Sequence, residues 1–267
     1  MTLKELANMF HRSLERVFDI QKFLPIFLVL LFSGLLFLFC QGFATHASAW
    51  MHLPLLSVPF YVLGFLLMVV GAGIIQSYEN EKQGKIFKGN LYFSKECFLK
   101  AVYFFGPLLG ALILVSILFG IIVLIKSIAY LGTFLGIILA FAPYLFNFCF
   151  LLLLLAACLA LFFFTPLLSL KQKIDKQALI ARLNDELFTH LILLIVALFP
   201  LWIIAKFAIA ALVATLVGYS SGDAELIKIL QGLFILIPIA ALLTFPLIFF
   251  FHFASEAYSY SSSKKSH

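Results

Sequence analysis

His46 and His52 stand six residues apart in a short uncharged segment between two apolar runs. Two imidazoles can begin a metal site, but no Cys, Asp or Glu in the same segment completes the ligand set that zinc needs. The four cysteines, Cys40, Cys97, Cys149 and Cys158, form no C-x-x-C pair. Cys149 and Cys158 lie inside apolar runs, where a thiol serves as a small packing group. There is no HExxH, G-x-S-x-G or P-loop, and GAGIIQ at 71–76 lacks the third glycine of a dinucleotide fingerprint. Coupling ions to transport across a bilayer usually takes Asp, Glu or His at mid-depth. By this reading all twelve acidic residues lie outside the apolar cores. Two intramembrane polar candidates remain, Asn147 and Lys206. Asn147 suits a hydrogen bond between helices, and Lys206 is expected near an interface, where its stem can snorkel. The expectation is a non-enzymatic protein with no catalytic set, no metal and no cofactor.

These residues are few because the chain is apolar almost throughout. Of 267 residues, 64% are hydrophobic and 11% charged, against roughly 25% charged in a soluble domain. Thirty-three are Phe, which covers lipid-facing surface at little cost. A water-soluble fold of this size cannot hide that much apolar surface. Several uncharged runs reach the ~20 residues a helix needs to cross a bilayer core. The fold class is therefore all-α, a polytopic helical membrane bundle. Its net charge of +6 is carried beside the apolar runs, which fits orientation and anionic headgroups rather than nucleic acid. The sequence THASAW at 45–50 contains an A-x-A pattern. However, the polar stretch before the first apolar run is 22 residues long, so that run is read as an uncleaved span.

FAPYLFN, residues 141–147, sits inside 44 uncharged residues from Ser127 to Leu170. One crossing or two would fit a run of that length. The basic residues decide. Fifteen of the 18 Lys and Arg fall in residues 1–22, 77–100, 171–187 and the tail. Placing all four segments on the cytoplasmic side sends the third span, about 101–125, out near Lys126 and demands an odd number of crossings between there and Lys171. Three would need about 60 residues, so only one span fits within 127–170. Pro143 marks the break, the fourth span is expected at about 145–168, and residues 127–142 are read as a short interfacial or re-entrant helix. The same logic gives a fifth span at about 188–206 followed by a separate apolar piece, and a sixth at about 228–252. The domain plan is an amphipathic interfacial helix at 1–22, a six-span membrane domain at 23–252 and a polar cytoplasmic tail at 253–267. Both termini are cytoplasmic.

Residues 1–22 place Leu3, Leu6, Phe10, Leu14, Val17 and Phe18 at spacings of three and four, with Thr2 and Glu5 as a capping box. Phe10 and Leu14, flanked by Arg12 and Arg16, are read as membrane-surface contacts, the basic residues meeting anionic headgroups. The competing reading is a helix packed on the protein. Gly106 with Gly110, and Gly132 with Gly136, form G-x-x-x-G pairs suited to close helix packing within one subunit or in a homo-oligomer. Charged helices at 1–22, about 86–100 and 173–187, each followed by spans carrying proline, suggest a weak internal repeat.

The layout resembles a broad group of uncharacterised six-span bacterial membrane proteins, whose relatives are sometimes fused to glycerophosphodiester phosphodiesterases. The resemblance is carried by QKFLPIFLVLLF, by GKIFKGN, and by FFFTPLLSL followed by KIDKQALIARLNDELFTHLILL. It implies a place in the bacterial inner membrane. No hydrolase domain accompanies these segments, so phosphodiesterase activity is not implied. Lipid bilayer contact is expected, with a protein partner or second copy left open. A permease, or the membrane subunit of a transporter, is the alternative, with Ser33, Ser116, Asn147, Thr165, Gln231 and Thr244 as its only midplane polar residues.

Overall fold

The structure, a computed structural model, describes residues 3–46, 52–82, 95–127, 142–169, 176–216 and 225–263. All of the described secondary structure is helical: α1 (Leu3–Glu15), α2 (Ile20–His46), α3 (His52–Lys82), α4 (Lys95–Ser127), α5 (Ala142–Ser169), α6 (Lys176–Leu216) and α7 (Glu225–Ser263). Five of these carry apolar stretches long and uncharged enough to cross a bilayer: 20–43, 58–81, 98–122, 188–208 and 234–260. The remaining long helix, α5, has 28 residues and no charge, with Leu155–Leu167 as its described apolar stretch. At 1.5 Å per residue it reaches about 42 Å, more than a hydrocarbon core. The chain is a multi-pass helical membrane protein.

The first and last described helices meet. The Tyr260 hydroxyl on α7 donates to Glu5 Oε2 on α1 at 3.3 Å. They do so at one end of the bundle. Between them, a single helix covers Ala142–Ser169. It opens with Pro143 in its first turn, where the missing N–H costs nothing.

Asp19 explains why α1 and α2 are separate. Its carbonyl accepts from the backbone N–H groups of Lys22 and Phe23, both at 3.1 Å, and its side chain accepts from Gln21 N–H at 3.3 Å. This is an N-cap, and it starts a new helix after the turn at residues 16–18. Residues 1–22 are thus not one amphipathic helix: α1 stops at Glu15. Two further expectations change. The fifth span does not give way to a separate piece after Lys206, because α6 stays helical to Leu216. The segment expected as a polar tail from 253 remains in α7 to Ser263, and Phe253, Ala254, Ser255, Glu256 and Ala257 are buried. Residues 128–141, most of the expected interfacial piece, lie outside the described residues, as do Gly132 and Gly136.

Helices α3 and α7 form the centre. In α3, 61% of the apolar stretch is buried and in α7 44%, against 22% in α2 and α6 and 17% in α4. α3 touches α2, α4, α5 and α7, while α7 touches α1, α2, α3, α5 and α6. Phenylalanine serves two environments. Phe105, Phe162, Phe249, Phe250, Phe251 and Phe253 are buried in the core, whereas Phe32, Phe39, Phe60 and Phe207 face outward. The lipid-facing reading of the Phe excess covers only the second set.

Close approach depends on glycines other than the G-x-x-x-G pair. A Cβ on Gly71 would lie 2.2 Å from the Phe251 ring, and one on Gly34 would lie 2.3 Å from Leu236. Gly106 and Gly110 would meet nothing within 4 Å, so they make no close helix contact among the described residues. Replacing Gly106 or Gly110 with Ala is expected to leave the thermal midpoint in detergent unchanged or slightly raised, since alanine is the better helix former by about 1 kcal/mol. A fall in the midpoint for either variant would expose a packing role beyond the contacts of the described residues.

Candidate functional site

The densest polar chemistry among the described residues lies where α1 meets the last turns of α3 and α7. It arises because α1 has distinct flanks. Met9 and Ser13 are buried on the flank that docks against the bundle, with Phe10 packed beside them. Ser13 can be buried because its hydroxyl donates to Met9 O at 2.8 Å, satisfying itself within its own helix. Phe10 sits against Phe249 with ring centres 4.9 Å apart, and just beyond α1 Phe18 sits against Phe245 at 5.8 Å. These pairs make α1 run antiparallel along α7.

The polar flank carries Glu5, Arg12 and, in the turn, Arg16. Arg16 Nη1 donates to Glu81 Oε2 at 3.0 Å, and its guanidinium carbon lies 4.5 Å from the centre of the Tyr78 ring. Tyr78 in turn donates its hydroxyl to Glu256 Oε1 and meets His252 edge to face at 5.2 Å. Arg12 Nη1 lies 3.9 Å from the other oxygen of Glu256. Ser255 donates to Glu79 Oε1 at 3.2 Å. Glu256 is only 6% exposed, so its charge depends on this shell, as burial of a carboxylate without partners is costly. Among the described residues, two ion pairs and the Tyr260–Glu5 hydrogen bond tie α1 and the turn after it to α3 and α7, and two further side-chain hydrogen bonds join α3 to α7. A cavity of about 380 Å³ opens beside it between α1 and α7, walled by Glu5, Met9, Arg12, Glu256, Ser259 and Tyr260.

The residues singled out from the sequence fall as follows. Arg12 and Arg16 belong to this junction. Phe10 is partly buried against α7, and Leu14 is 47% exposed. Lys22, a further basic residue of the 1–22 segment, is 3% exposed, its ammonium 2.9 Å from Asp19 Oδ2. Lys206 is exposed on α6 with its ammonium 4.3 Å from the Trp202 ring centre, a pairing of cation and indole. Asn147 lies on α5 and its side chain is outside the described residues, as are those of His46 and His52. The expectation that all acidic groups stay outside the core missed Glu256. Its signal was present: Phe249, Phe253, Glu256 and Tyr260 repeat at four, three and four and extend the helical face past residue 252.

The bundle interior holds hydroxyls that find no hydrogen-bond partner among the described residues: those of Ser33, Tyr61 and Thr165. Thr244 instead donates to Ala240 O at 2.7 Å. The junction can hold charge and bind polar groups. In comparisons with known proteins, no family model matches the chain, and neither does any curated protein or any solved structure.

Proposed function

We propose that this chain is a non-enzymatic, multi-pass protein of a bacterial inner membrane, with both termini cytoplasmic and α1 seated among the lipid headgroups beside the bundle. The observation that supports it is the apolar edge that α1 leaves uncovered. Leu3 is 87% exposed, Phe18 78% and Ile20 82%. With Leu14 this edge continues into Leu24, Leu28 and Phe32 on the outer side of α2, a stripe suited to lipid rather than water. The concentration of Lys and Arg in the segments beside this end favours the cytoplasmic side. Here the two sequence readings of α1 combine: one flank packs on the protein and another meets lipid.

The orientation is tested with a single cysteine at Lys4 in a background lacking the native cysteines. An impermeant thiol reagent is expected to label inside-out vesicles and spare intact cells; labelling of intact cells would reverse the topology. Native mass spectrometry of the gently extracted protein tests the lipid role. Retained lipid without a stoichiometric protein supports it, and a stoichiometric protein partner would recast the chain as a subunit. A permease reading draws on the buried hydroxyls of Ser33, Tyr61 and Thr165, and loss of solute uptake on deletion would favour it.

A further inference from the structure

Between Glu186 and Asp223 the sequence carries a single charge, Lys206. Glu186 and Lys206 both lie in α6, which is helical from Lys176 to Leu216. Twenty residues of helix separate them, ~30 Å at 1.5 Å per residue, the thickness of one hydrocarbon core. With the charged segment that ends at Glu186 on one side of the bilayer, Lys206 stands at the other boundary. Its side chain turns back along the helix, and the ammonium lies over Trp202, one turn earlier, 4.3 Å from the ring centre. Phe199 stacks beside that indole, ring centres 6.5 Å apart. Ile195, Phe199, Trp202 and Lys206 recur at four, three and four and are all exposed, whereas Leu193, Leu194 and Ala197 are buried. The stripe therefore faces away from the bundle. Among the described residues no acid pairs with Lys206, and neither its ammonium nor the Trp202 indole N–H donates a hydrogen bond. The indole covers one side of the cation. The remaining N–H groups need acceptors, because a charge beside hydrocarbon is costly.

We infer that this stripe of α6 holds an anionic phospholipid, with the phosphate on Lys206 and Trp202 and an acyl chain along Phe199 and Ile195. Lysine binds phosphate as a point charge, and the indole adds a second donor within one helical turn. The occupant is a lipid because the stripe runs from a cation at the boundary into an apolar face at core depth; a free phosphate would leave that face unused. Net charge then selects among lipids. Phosphatidylglycerol brings an uncompensated negative charge to Lys206. In phosphatidylethanolamine the headgroup's own ammonium competes for the phosphate. The site is separate from the α1 junction: α6 packs on α7 and its C-terminal end leads into that helix, whereas α1 meets the last turns of α7. The inference therefore does not rest on the depth given to α1.

The test uses the full chain in detergent. Equal amounts of phosphatidylglycerol and phosphatidylethanolamine are offered, and retained lipid is read by native mass spectrometry. The wild-type chain is expected to prefer phosphatidylglycerol by about tenfold, the size of one charge-assisted hydrogen bond. Lys206→Gln is expected to abolish the preference, Lys206→Arg to keep it and Trp202→Leu to weaken it. Lys4→Gln, an exposed position on α1, should leave it intact and so controls for general attraction to basic residues. Both site side chains are exposed, so thermal midpoints without added lipid should match the wild type, and retention by Lys206→Arg separates lost charge from lost fold. No preference in the wild type, or one that survives Lys206→Gln, overturns the inference. Equal loss in Lys4→Gln also overturns it, since the preference would then belong to no one site. A second copy of the chain retained in place of lipid, and lost with Lys206→Gln, would assign the stripe to a protein contact and overturn it as well.

Discussion

Gly71→Ala is expected to lower the thermal midpoint in detergent substantially, with a cost of about 1–3 kcal/mol or more from forcing an extra carbon into a packed core. The added Cβ would stand 2.2 Å from Cε1 of Phe251, and Phe251 is fully buried. The ring cannot swing away into open space, so α3 and α7 must move apart. These are the two central helices, and separating them disturbs the junction at their ends as well. The gain in helix propensity from alanine, about 1 kcal/mol, offsets part of the cost. A partner change checks the cause: Phe251→Leu in the Gly71→Ala background should recover much of the loss, giving a coupling that distant pairs do not show. If Gly71→Ala behaves like Gly106→Ala, α3 and α7 are not in contact at this level.

Asp19→Ala should be comparably damaging for a different reason. It removes the N-cap of α2, at about 1 kcal/mol, and it strips Lys22 of its charged partner. The Lys22 side chain is 4% exposed and its ammonium lies 2.9 Å from Asp19. A buried charge left without its partner costs about 3–5 kcal/mol. Asp19→Asn should fall between, since it keeps an oxygen for Gln21 N–H and loses the ion pair. Adding Lys22→Met to Asp19→Asn should restore most of the stability, because no buried charge then remains. Thermal unfolding of the four proteins in one detergent checks the order. Full stability of Asp19→Ala would mean that Lys22 reaches water or headgroups.

The membrane class and the position of the spans were legible because they depend on length and on the absence of charge, both local properties. A helix after the break at Pro143 was legible too, and the structure has one over Ala142–Ser169. Contacts between helices were not. G-x-x-x-G spacing marks Gly106 and Gly110 as neighbours on one face of α4, but says nothing about which helix faces them; among the described residues none does. Gly71 lacks the motif yet meets Phe251 because α3 is surrounded. The apolar stripe of α1 was legible as a stripe. Its division into a docked flank at Met9 and an uncovered edge at Leu3 and Leu14 needs the position of α7. The α1–α2 boundary left a readable signal in Asp19 ahead of an apolar run. The polar letters of SEAYSYSS hid the last turns of α7, because serine and tyrosine favour no element strongly and the burial of Glu256 comes from Tyr78 and α1, distant in sequence.

The central claim is that α1 docks on α7 with one flank and meets lipid with its apolar edge. A single fluorophore placed in turn at Lys4, Leu14 and Phe18, in the full chain reconstituted in bilayers, tests it most directly. Quenching by a lipid-borne nitroxide should be strong at Leu14 and Phe18, and quenching by a water-borne agent strong at Lys4. Equal, water-dominated quenching at all three positions would lift α1 out of the membrane and contradict the account.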